Sequence, residues 1–425
     1  MWTLKPDLVM RPEARGALLF NPENAETVYL DRNGLSFLRA LVKGENHRER
    51  VPVSLLLQLR RGGILIQSKK GSKRCINNID ICLDTRIEEI PHSLSAPETL
   101  HIVLTDSCDQ FCHGCFYSKG ANRPELFLSN ALFDKILSSA QRAKVLQFAF
   151  GGGEPLCHPG LLEFVKKSSA KNIVPNITTN GNLLTENLGS ELRNSGLGQL
   201  QISLNASTPE TNARTRPNYD QAVKAMETCK KVGLRFGINT LVTQENFRQL
   251  PSLFAFAETA GAQGVNLLRP KPPVNSPGWL EDVSLSPSQN KELHHLLIQE
   301  GKKKKISITL DQSLSFLAYH RNSVELYYNG VWGCGAGRRF LTIDPQGTVY
   351  PCSHFREPIG SDGNFAESWK SSRLLESFRT LEESIKEPCL HCKMISVCRG
   401  CRAVVTELGG DFLSGDPHCP LFHIN

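Results

Sequence analysis

The 425-residue sequence has no apolar run that approaches the roughly 20 residues of a membrane-spanning helix. Its first residues, MWTLKPDLVMRPEARG, lack the apolar stretch of a signal peptide. It has no simple repeat and no low-complexity segment, and its 40% hydrophobic and 21% charged residues exclude the disordered, fibrous and coiled-coil classes. We therefore expect a globular protein that is located in the cytoplasm and has no membrane partner.

The charge balance is only mildly basic. The formal net charge is +7 and the pI is about 8.7, which suits an anionic cofactor or an acidic peptide as well as an ordinary surface. The longest basic run, Lys302 to Lys305, follows Gly301 at a predicted helix end. A solvated helix C-terminus explains this run better than nucleic-acid binding does, so no nucleic-acid partner is expected.

The length predicts two to three domains, at roughly 150 residues per domain. Residues 1–66 contain the alternating apolar runs GALLF and ETVYL around the turn-rich NPENA, which predict a strand pair. The segments LSFLRALVKG and VPVSLLLQLRRGG then predict two helices, and a unit of this kind is similar to a winged-helix domain. Residues 67–97 are polar and charged and predict a linker.

Residues 98–300 alternate between apolar, strand-like runs and helix-like segments. Six runs predict strands: LHIVLT, VLQFAF, IVPNITT, LQISLN, RFGINTLV and VNLLRP. Strands that alternate with helices indicate an α/β fold with a parallel sheet, here a partial (β/α)6 barrel, whose chemistry gathers at the C-terminal ends of the strands. Residues 301–425 are dense in cysteine and glycine and predict an extension whose fold depends on metal.

The 14 cysteines favour metal sites over disulfides in a reducing compartment. The run CDQFCHGC supplies Cys108, Cys112 and Cys115 directly after the first predicted barrel strand. Three thiolates in one short loop can hold three irons of a [4Fe–4S] cluster and leave the fourth iron open for a small molecule. The alternative is a zinc site with His113 as the fourth ligand.

Glycines and short polar residues end the next three strands. Gly152 and Gly153 allow the backbone to approach a ligand closely, and Glu154 offers a carboxylate suited to an amino group. The third and fourth strands end in further polar residues: Thr179, Asn180, Ser203 and Asn205. Each of these alone is more typical of a helix N-cap, but together at one edge of the sheet they indicate a ligand site.

CxxxCxxC after the first strand and GGE after the second resemble the signature of the radical S-adenosylmethionine (SAM) superfamily. The resemblance implies that Cys108, Cys112 and Cys115 hold a [4Fe–4S] cluster whose open iron chelates SAM. SAM is then cleaved to methionine and a 5′-deoxyadenosyl radical that abstracts hydrogen from the substrate. The further implied SAM contacts are Gly152, Gly153 and Glu154 at the amino group, Ser203 and Asn205 near the ribose, and Arg214 near the carboxylate.

Two of these assignments have alternatives. Arg214 is equally compatible with a surface position, and Arg216 is a rival for the carboxylate. The family often has an aromatic residue before the third cysteine, whereas this sequence has Gly114. Phe111 or Phe116 could substitute for that aromatic residue near the adenine.

The C-terminal cysteines resemble the SPASM extension of peptide-modifying radical SAM enzymes. One departure is that two residues, instead of the usual three, separate Cys398 from Cys401. The resemblance implies two auxiliary [4Fe–4S] clusters: one on Cys389, Cys392, Cys398 and Cys419, the other on Cys334, Cys352 and Cys401. The second would have an open iron. The alternative is a zinc ribbon, because paired CxxC motifs also suit zinc.

Four cysteines have no assigned role: Cys75, Cys82, Cys157 and Cys229. Plain buried thiols are expected at these positions, although Cys157 is near enough to Glu154 in sequence to approach the active site.

The first 66 residues also resemble the peptide-recognition element of ribosomal peptide maturases, typified by the pyrroloquinoline quinone biosynthesis chaperone. The resemblance implies that a leader peptide adds a strand along Thr27–Leu30 and lies against Ser54–Arg61. The alternative is a purely structural appendage.

These resemblances predict an enzyme that installs a modification, first of all a thioether or carbon–carbon cross-link, in a ribosomally made precursor peptide. A flavodoxin or ferredoxin would be its electron donor, and no catalytic acid or base is assigned. The alternatives are a protein residue or a tetrapyrrole side chain as substrate, since CRGCRAVVTELGGDFLSGDPHC also resembles haem-pathway members, a peptide epimerase, or a non-catalytic peptide-binding protein.

Overall fold

The computed structural model describes residues 2–44, 53–67, 73–117, 125–274, 276, 278–303, 305–328 and 330–421. Its N-terminal unit contains these elements: β1 (Trp2–Leu4), β2 (Val9–Glu13), β3 (Gly16–Asn21), β4 (Glu26–Asp31), α1 (Arg32–Lys43), α2 (Val53–Arg61), β5 (Leu65–Gln67) and α3 (Lys73–Asp84). Strands β2, β3 and β4 form an antiparallel sheet with β4 at one edge, and β1 pairs with β5.

The predicted strand pair and both predicted helices are present, as β3, β4, α1 and α2. Asp31 begins α1 because its side chain accepts a hydrogen bond from the Gly34 N–H at 2.7 Å, and Gly44 ends it with a φ of 73°. The winged-helix arrangement stays a prediction.

The range 67–97, predicted as a linker, contains helix α3. The sequence of this helix is mostly polar, but it has a narrow apolar stripe. Ile79 and Cys82 of the stripe lie one helical turn apart and are buried in the core of the N-terminal unit. An ion pair between Arg39 and Asp80 also connects α1 to α3. The N-terminal unit therefore extends to Asp84.

The central sheet has nine strands in the described part of the chain, in the order β12-β11-β10-β9-β8-β7-β6-β13-β14. The strands are β6 (Thr99–Thr105), β7 (Gln147–Gly152), β8 (Val174–Thr179), β9 (Gln199–Ser203), β10 (Phe236–Leu241), β11 (Gly264–Leu268), β12 (Ser307–Leu310), β13 (Phe340–Ile343) and β14 (Val349–Tyr350). Neighbouring strands are parallel except for the antiparallel pair β13–β14.

Helices connect these strands and cover the apolar face of the sheet. They are α4 (Asn130–Arg142), α5 (Leu161–Ala170), α6 (Glu186–Asn194), α7 (Pro209–Ala213), α8 (Tyr219–Val232), α9 (Leu250–Ala260), α10 (Trp279–Val283) and α11 (Pro287–Lys303). Phe133 of α4 stacks on Phe164 of α5 with ring centroids 4.0 Å apart, and both pack against Phe148 of β7 in the main core.

The six predicted strands are present as β6 to β11, but the sheet is larger than predicted. Strand β12 is parallel to β11, and β13 is parallel to β6, so part of the range 301–425 belongs to the central sheet. Residue 300 also lies within α11. The sequence obscured this because β12 is four residues long and follows a run of lysines.

The C-terminal region is built from short helices and turns. Its helices are α12 (Ser323–Tyr328), α13 (Phe365–Ser371), α14 (Arg373–Arg379), α15 (Leu381–Ser384) and α16 (Arg402–Glu407). Phe365, Trp369 and Leu375 join the main core, whereas Leu280, Cys401 and Val404 belong to a smaller apolar cluster.

Among the described residues, no helix combines the length and the apolar character needed to cross a membrane.

The N-terminal unit packs against the end of the central sheet at which the parallel strands begin. Leu18 and Phe20 form an apolar cluster with Leu146 and Val174, which lie at the starts of β7 and β8. Arg11 is buried and donates to the carbonyls of Pro97 at 2.8 Å and Ala96 at 3.0 Å. The candidate active site lies at the opposite end of the sheet, where the parallel strands end.

Candidate active site

The three-cysteine loop follows β6 directly. Cys108 is exposed, and Cys112 and Cys115 are half-buried. Loss of hydration raises the pKa of Cys108 to about 12, and the charges of Glu154 and Cys112 add to this rise. Burial likewise raises the pKa of Cys112, with a contribution from Cys115. The three thiols thus act on one another, and the positive charge of bound iron would be needed to hold them as thiolates near neutral pH.

The glycines before Glu154 are required by the cysteine loop. A Cβ on Gly153 would lie 2.1 Å from the Ser107 carbonyl oxygen, and one on Gly152, whose φ is 124°, would lie 2.5 Å from that of Thr105. The N–H groups of Gly153 and Glu154 donate to these two carbonyls at 2.8 Å each. Close packing against Thr105 and Ser107 requires both glycines, and their contact with SAM stays a prediction.

Glu154 is 1% exposed and its carboxylate accepts three hydrogen bonds. The donors are the Thr179 hydroxyl at 2.6 Å, the Asn180 N–H at 2.8 Å and the Leu156 N–H at 3.0 Å. Burial raises the pKa of Glu154 to about 7, although these bonds oppose the rise. Glu154 is therefore held rigidly at the end of β7, with a charge that a bound ammonium group would favour.

The polar residues after β8 connect Glu154 to the cysteine loop. Thr179 and Asn180 bond Glu154 as described, and the Asn180 side-chain amide donates to Asp109 of the loop at 2.8 Å. Their observed contacts position Glu154 and the loop. Both residues stay predicted SAM contacts.

Of the residues predicted near the ribose, Ser203 is buried at the last position of β9. The side chain of Asn205 is engaged within the fold: it donates to the Thr215 hydroxyl at 2.7 Å and accepts from the Leu241 N–H at 2.9 Å. A ribose contact by Asn205 would compete with these bonds.

The structure separates the two arginine candidates. Arg214 is exposed at the end of α7 and forms no ion pair with any residue that the structure describes. Arg216 is half-buried, and its positive charge opposes the burial-driven rise in the pKa of Cys112. The Nε of Arg216 is buried without a hydrogen-bond partner in the described structure. Arg216, the rival candidate, therefore fits the SAM carboxylate better than Arg214.

A tryptophan that the sequence analysis missed lies against the cysteine loop. A Cβ on Gly114 would lie 2.0 Å from the indole of Trp279, so the glycine makes room for this ring. Trp279 is 4% exposed, and within the described residues its Nε1 has no partner. The absence of an aromatic residue at position 114 was the only signal in the sequence that another segment supplies one.

The two phenylalanines considered for the adenine differ. Phe111 is 74% exposed, whereas the ring of Phe116 packs edge-on against His354, with centroids 4.4 Å apart. Arg356 also donates a hydrogen bond to the Phe116 carbonyl. Phe116 thus connects the cysteine loop to the segment after Cys352, and Phe111 is left accessible to a ligand.

The thiols of the C-terminal region fall into two electrostatic groups. Burial raises the pKa of Cys334 to about 11 and that of Cys352 to about 12, and Cys401 contributes to both rises. Burial also raises the pKa of Cys419 to about 12, with contributions from Cys389 and Cys392. Burial likewise raises the pKa of Cys398, and the charges of Cys419 and Cys389 add to this rise.

This grouping is the same as that of the two ligand sets that the resemblance implies. Among the described residues, no three His, Cys, Asp or Glu side chains converge tightly enough to hold a single metal ion. The assignment of the cysteines as ligands stays a prediction.

Of the unassigned cysteines, Cys82 and Cys229 are buried. Cys157 is half-buried in the turn after Glu154, and burial raises its pKa to about 11, with contributions from Asp109 and Glu154. Cys157 therefore lies beside the site. The side chain of Cys75 lies outside the described residues.

A half-buried ion pair that the sequence analysis missed lies where β11 and β12 end. The Lys271 Nζ donates to Asp311 at 2.7 Å and to Ser313 at 2.5 Å. Burial alone would raise the pKa of Asp311, but the Lys271 ammonium holds it below its usual range. Lys271 also acts electrostatically on Cys334, so a fixed charge pair stands between the sheet edge and the C-terminal thiols.

Comparison with known proteins agrees with this geometry. Residues 102–257 match the family model described as the radical SAM superfamily, and residues 334–402 match the SPASM model, an iron–sulfur cluster-binding domain. The mycofactocin maturase MftC of Mycobacterium ulcerans is 30% identical over 343 residues, which are 78% of this chain and 90% of the relative. The AdoMet-dependent heme synthase of Methanosarcina barkeri is 26% identical over 345 residues, 76% of this chain and 97% of the relative.

The fold is also similar to that of a solved enzyme along almost the whole chain. The crystal structure of Streptococcus suis SuiB bound to the precursor peptide SuiA has a TM-score of 0.72 and 19% identity, and the match covers 99% of this chain and 100% of SuiB. From the cysteine loop, the GGE turn and these matches, we conclude that the chain is an enzyme of the radical SAM superfamily that carries a SPASM iron–sulfur domain and is related to peptide maturases.

Proposed function

We propose that this enzyme uses a SAM-derived radical to install a thioether or carbon–carbon cross-link in a ribosomally made precursor peptide. The supporting observation is the N-terminal unit. A match over 99% of the chain with SuiB, whose structure holds a precursor peptide, includes this unit. The match with the heme synthase leaves about a quarter of this chain outside it, while covering nearly all of that relative. The maturase MftC leaves a similar share of this chain unmatched, so the likeness to SuiB along the whole chain is what favours a peptide as substrate.

In this proposal the N-terminal unit, predicted at 1–66 and extended by α3, binds the leader of the precursor. Strand β4 is at the edge of its sheet, so a leader can add a strand along Thr27–Leu30. Helix α2, with Ser54–Arg61, provides the neighbouring surface, because Val28 of β4 and Leu59 of α2 share one apolar core. A winged-helix arrangement of this unit is part of the proposal.

At the opposite edge of the sheet, Cys108, Cys112 and Cys115 hold the SAM-binding cluster in this proposal. When bound, the cluster and SAM together supply an electron and the radical that removes hydrogen from the substrate. Glu154 accepts from the SAM amino group, and Arg216 donates to its carboxylate. Trp279 covers the loop and excludes water from one side. The C-terminal cysteines would hold two auxiliary clusters, which would offer a route for the second electron of a cross-linking oxidation.

The enzyme is proposed to act in the cytoplasm, because this chemistry needs reduced thiols and an electron donor of the flavodoxin or ferredoxin type. The second candidate is a tetrapyrrole side chain as substrate. The observation in its favour is the 26% identity with a heme synthase over 345 residues.

The test is the mass of a candidate precursor peptide, encoded beside the gene, after anaerobic turnover with SAM and reductant in heavy water. Loss of about two mass units is expected for a cross-link, with SAM as the hydrogen acceptor. An unchanged mass or a gain of solvent deuterium would instead indicate epimerisation or no turnover of the peptide. The same peptide without its leader is the control, and the N-terminal unit predicts much weaker turnover for it. Turnover of a porphyrin and of no peptide would favour the second candidate.

A further inference from the structure

Two arginines are buried within the cysteine-rich loop that leads into α16. Arg399 and Arg402 are each about 1% exposed. Arg399 donates to Glu382 at 3.0 Å, and Arg338 uses the same carboxylate. Arg402 has no carboxylate partner among the residues that the structure describes, so the two guanidinium groups differ in how their charge is balanced.

Arg402 bonds only to main-chain carbonyls. Its Nη1 donates to Phe412 at 2.7 Å and to Ser414 at 2.8 Å, and its Nη2 donates to Arg399 at 2.7 Å. Its Nε is buried and has no partner in the described structure. These bonds fix the guanidinium in place, but they leave the Nε donor unused and provide no negative charge to balance the cation.

A buried charge is strongly unfavourable unless an opposite charge lies close to it. The carboxylate of Asp416 lies near Arg402. A Cβ added to Gly400 would be 2.8 Å from the Arg402 Nη2 and 3.0 Å from the Asp416 Oδ2. Asp416, however, already binds Arg269 with both oxygens, at 2.6 and 2.8 Å. Within the part of the chain that the structure describes, Arg402 therefore has no carboxylate of its own as a counter-charge.

Arg402 lies between the two groups of C-terminal thiols. It directly follows Cys401, and its Nη2 donates at 2.7 Å to the carbonyl of Arg399, the residue after Cys398. Burial raises the pKa of Cys334 to about 11, and the positive charge of Arg402 opposes this rise. Burial also raises the pKa of Cys389, and Arg402 opposes that rise as well. Cys334 and Cys389 belong to different groups, so one guanidinium lies within electrostatic reach of both proposed clusters.

We propose that Arg402 is a shared counter-charge of the two auxiliary clusters, and that it raises the reduction potential of both. A thiolate-ligated iron–sulfur cluster is an anion that gains one more negative charge on reduction, so a fixed cation beside it stabilises the reduced form. Arg402 acts here as a positioning residue that tunes the electron acceptors. The inference rests on the clusters of the SPASM domain and not on the identity of the substrate.

The test compares Arg402→Gln and Arg402→Lys with the control Arg379→Gln. Arg379 is also buried and carbonyl-bound, with Nε 2.8 Å from the Gly337 oxygen and Nη2 2.6 Å from that of Trp369. No thiol is among the charges that act on it. The readout is a redox titration of the reconstituted full-length protein, followed by electron paramagnetic resonance without SAM or substrate, together with iron content.

The expected result is that Arg402→Gln lowers both auxiliary potentials and leaves that of the SAM-binding cluster unchanged, while Arg402→Lys and Arg379→Gln stay near wild type. Unchanged potentials in fully loaded Arg402→Gln, or equal shifts in Arg379→Gln, would overturn the proposal. If Arg402→Gln loses iron, the deciding measurement is the pair of auxiliary potentials in fully loaded Arg402→Lys. Because lysine keeps the charge, potentials below wild type in this variant would count against a role of charge. Loss of iron in both variants would show that the hydrogen bonds matter instead, and would also overturn it.

Discussion

The two cysteine-rich regions of the chain are built in different ways. The loop after β6 takes three thiols from eight consecutive residues and leaves Cys108 exposed. The C-terminal thiols come from segments spread between residues 334 and 419, and buried charges such as Arg402 and Asp416 lie among them. A site that exchanges SAM needs an open face, whereas a site that passes electrons works better when enclosed, because burial strengthens every nearby charge.

The two regions are nevertheless in contact. Trp279 lies on Gly114 of the first loop, while the next residue, Leu280, packs in the apolar cluster that contains Cys401. Phe116 of the first loop also contacts His354, two residues after Cys352. Helix α10 and these rings thus fix the distance between the two proposed electron sites.

Removing one thiol from each region should separate their roles and has the largest expected effect. Cys112→Ala should abolish SAM cleavage, because two thiols cannot hold a cluster with its open iron in the right place. Cys352→Ala should still cleave SAM, but it should lose the peptide product and the iron of one auxiliary cluster. The measurement is 5′-deoxyadenosine by chromatography, with the iron content of each variant.

The matched control is Cys229→Ala, which removes a buried thiol of the main core outside both groups. It should keep the wild-type iron content and both activities. If Cys352→Ala stopped SAM cleavage as completely as Cys112→Ala, the two regions would not have separate functions.

The same comparison shows why one region could be predicted from the sequence and the other only in part. The three cysteines and the GGE turn follow strands directly, so their spacing alone brings them together. Arg214 lies at the end of α7 and is exposed, whereas Arg216, two residues later, is half-buried with an unpaired Nε in the described structure. The sequence does not reveal this difference in burial. Trp279 reaches the loop from a distant helix, which no local pattern reveals.

The fold shows the same limit. The alternation of apolar runs predicted β6 to β11, because each of these strands has a buried face. The outer strands β12 to β14 are two to four residues long, too short for a clear pattern. Helix α3 has only a narrow apolar stripe within a polar sequence. Tertiary packing, not local preference, orders these elements.

Glu154 predicts a pH dependence of SAM binding that the C-terminal region should not share. Burial raises the pKa of this carboxyl to about 7, and its ionised form accepts more strongly from the SAM amino group than its protonated form does. About a tenth of the carboxyl is ionised one pH unit below that value, so SAM affinity should rise about tenfold between pH 6 and pH 8. Equilibrium binding to the anaerobic protein measures this.

Glu154→Gln is the matching variant and should bind SAM weakly at every pH. A wild-type affinity that stays constant from pH 6 to pH 8 would contradict the role of Glu154. The stability effect has the opposite direction. Because the folded pKa lies above the ordinary value of 4.5, the protonated carboxyl stabilises the SAM-free fold below about pH 4.5, and this contribution is lost as the pH rises through about 7.

Replacing each of the two arginines near the cysteine loop by lysine should have the smallest effect on SAM binding. Arg216→Lys keeps the charge but loses the planar set of donors, so SAM binding should weaken about fivefold. Arg214→Lys should change it less than about twofold, because Arg214 is exposed and makes no ion pair with any described residue. A greater loss in Arg214→Lys than in Arg216→Lys would return the SAM carboxylate to Arg214. It would also mean that bound SAM draws the exposed end of α7 over the cysteine loop, and so closes the open face that distinguishes this region from the C-terminal one.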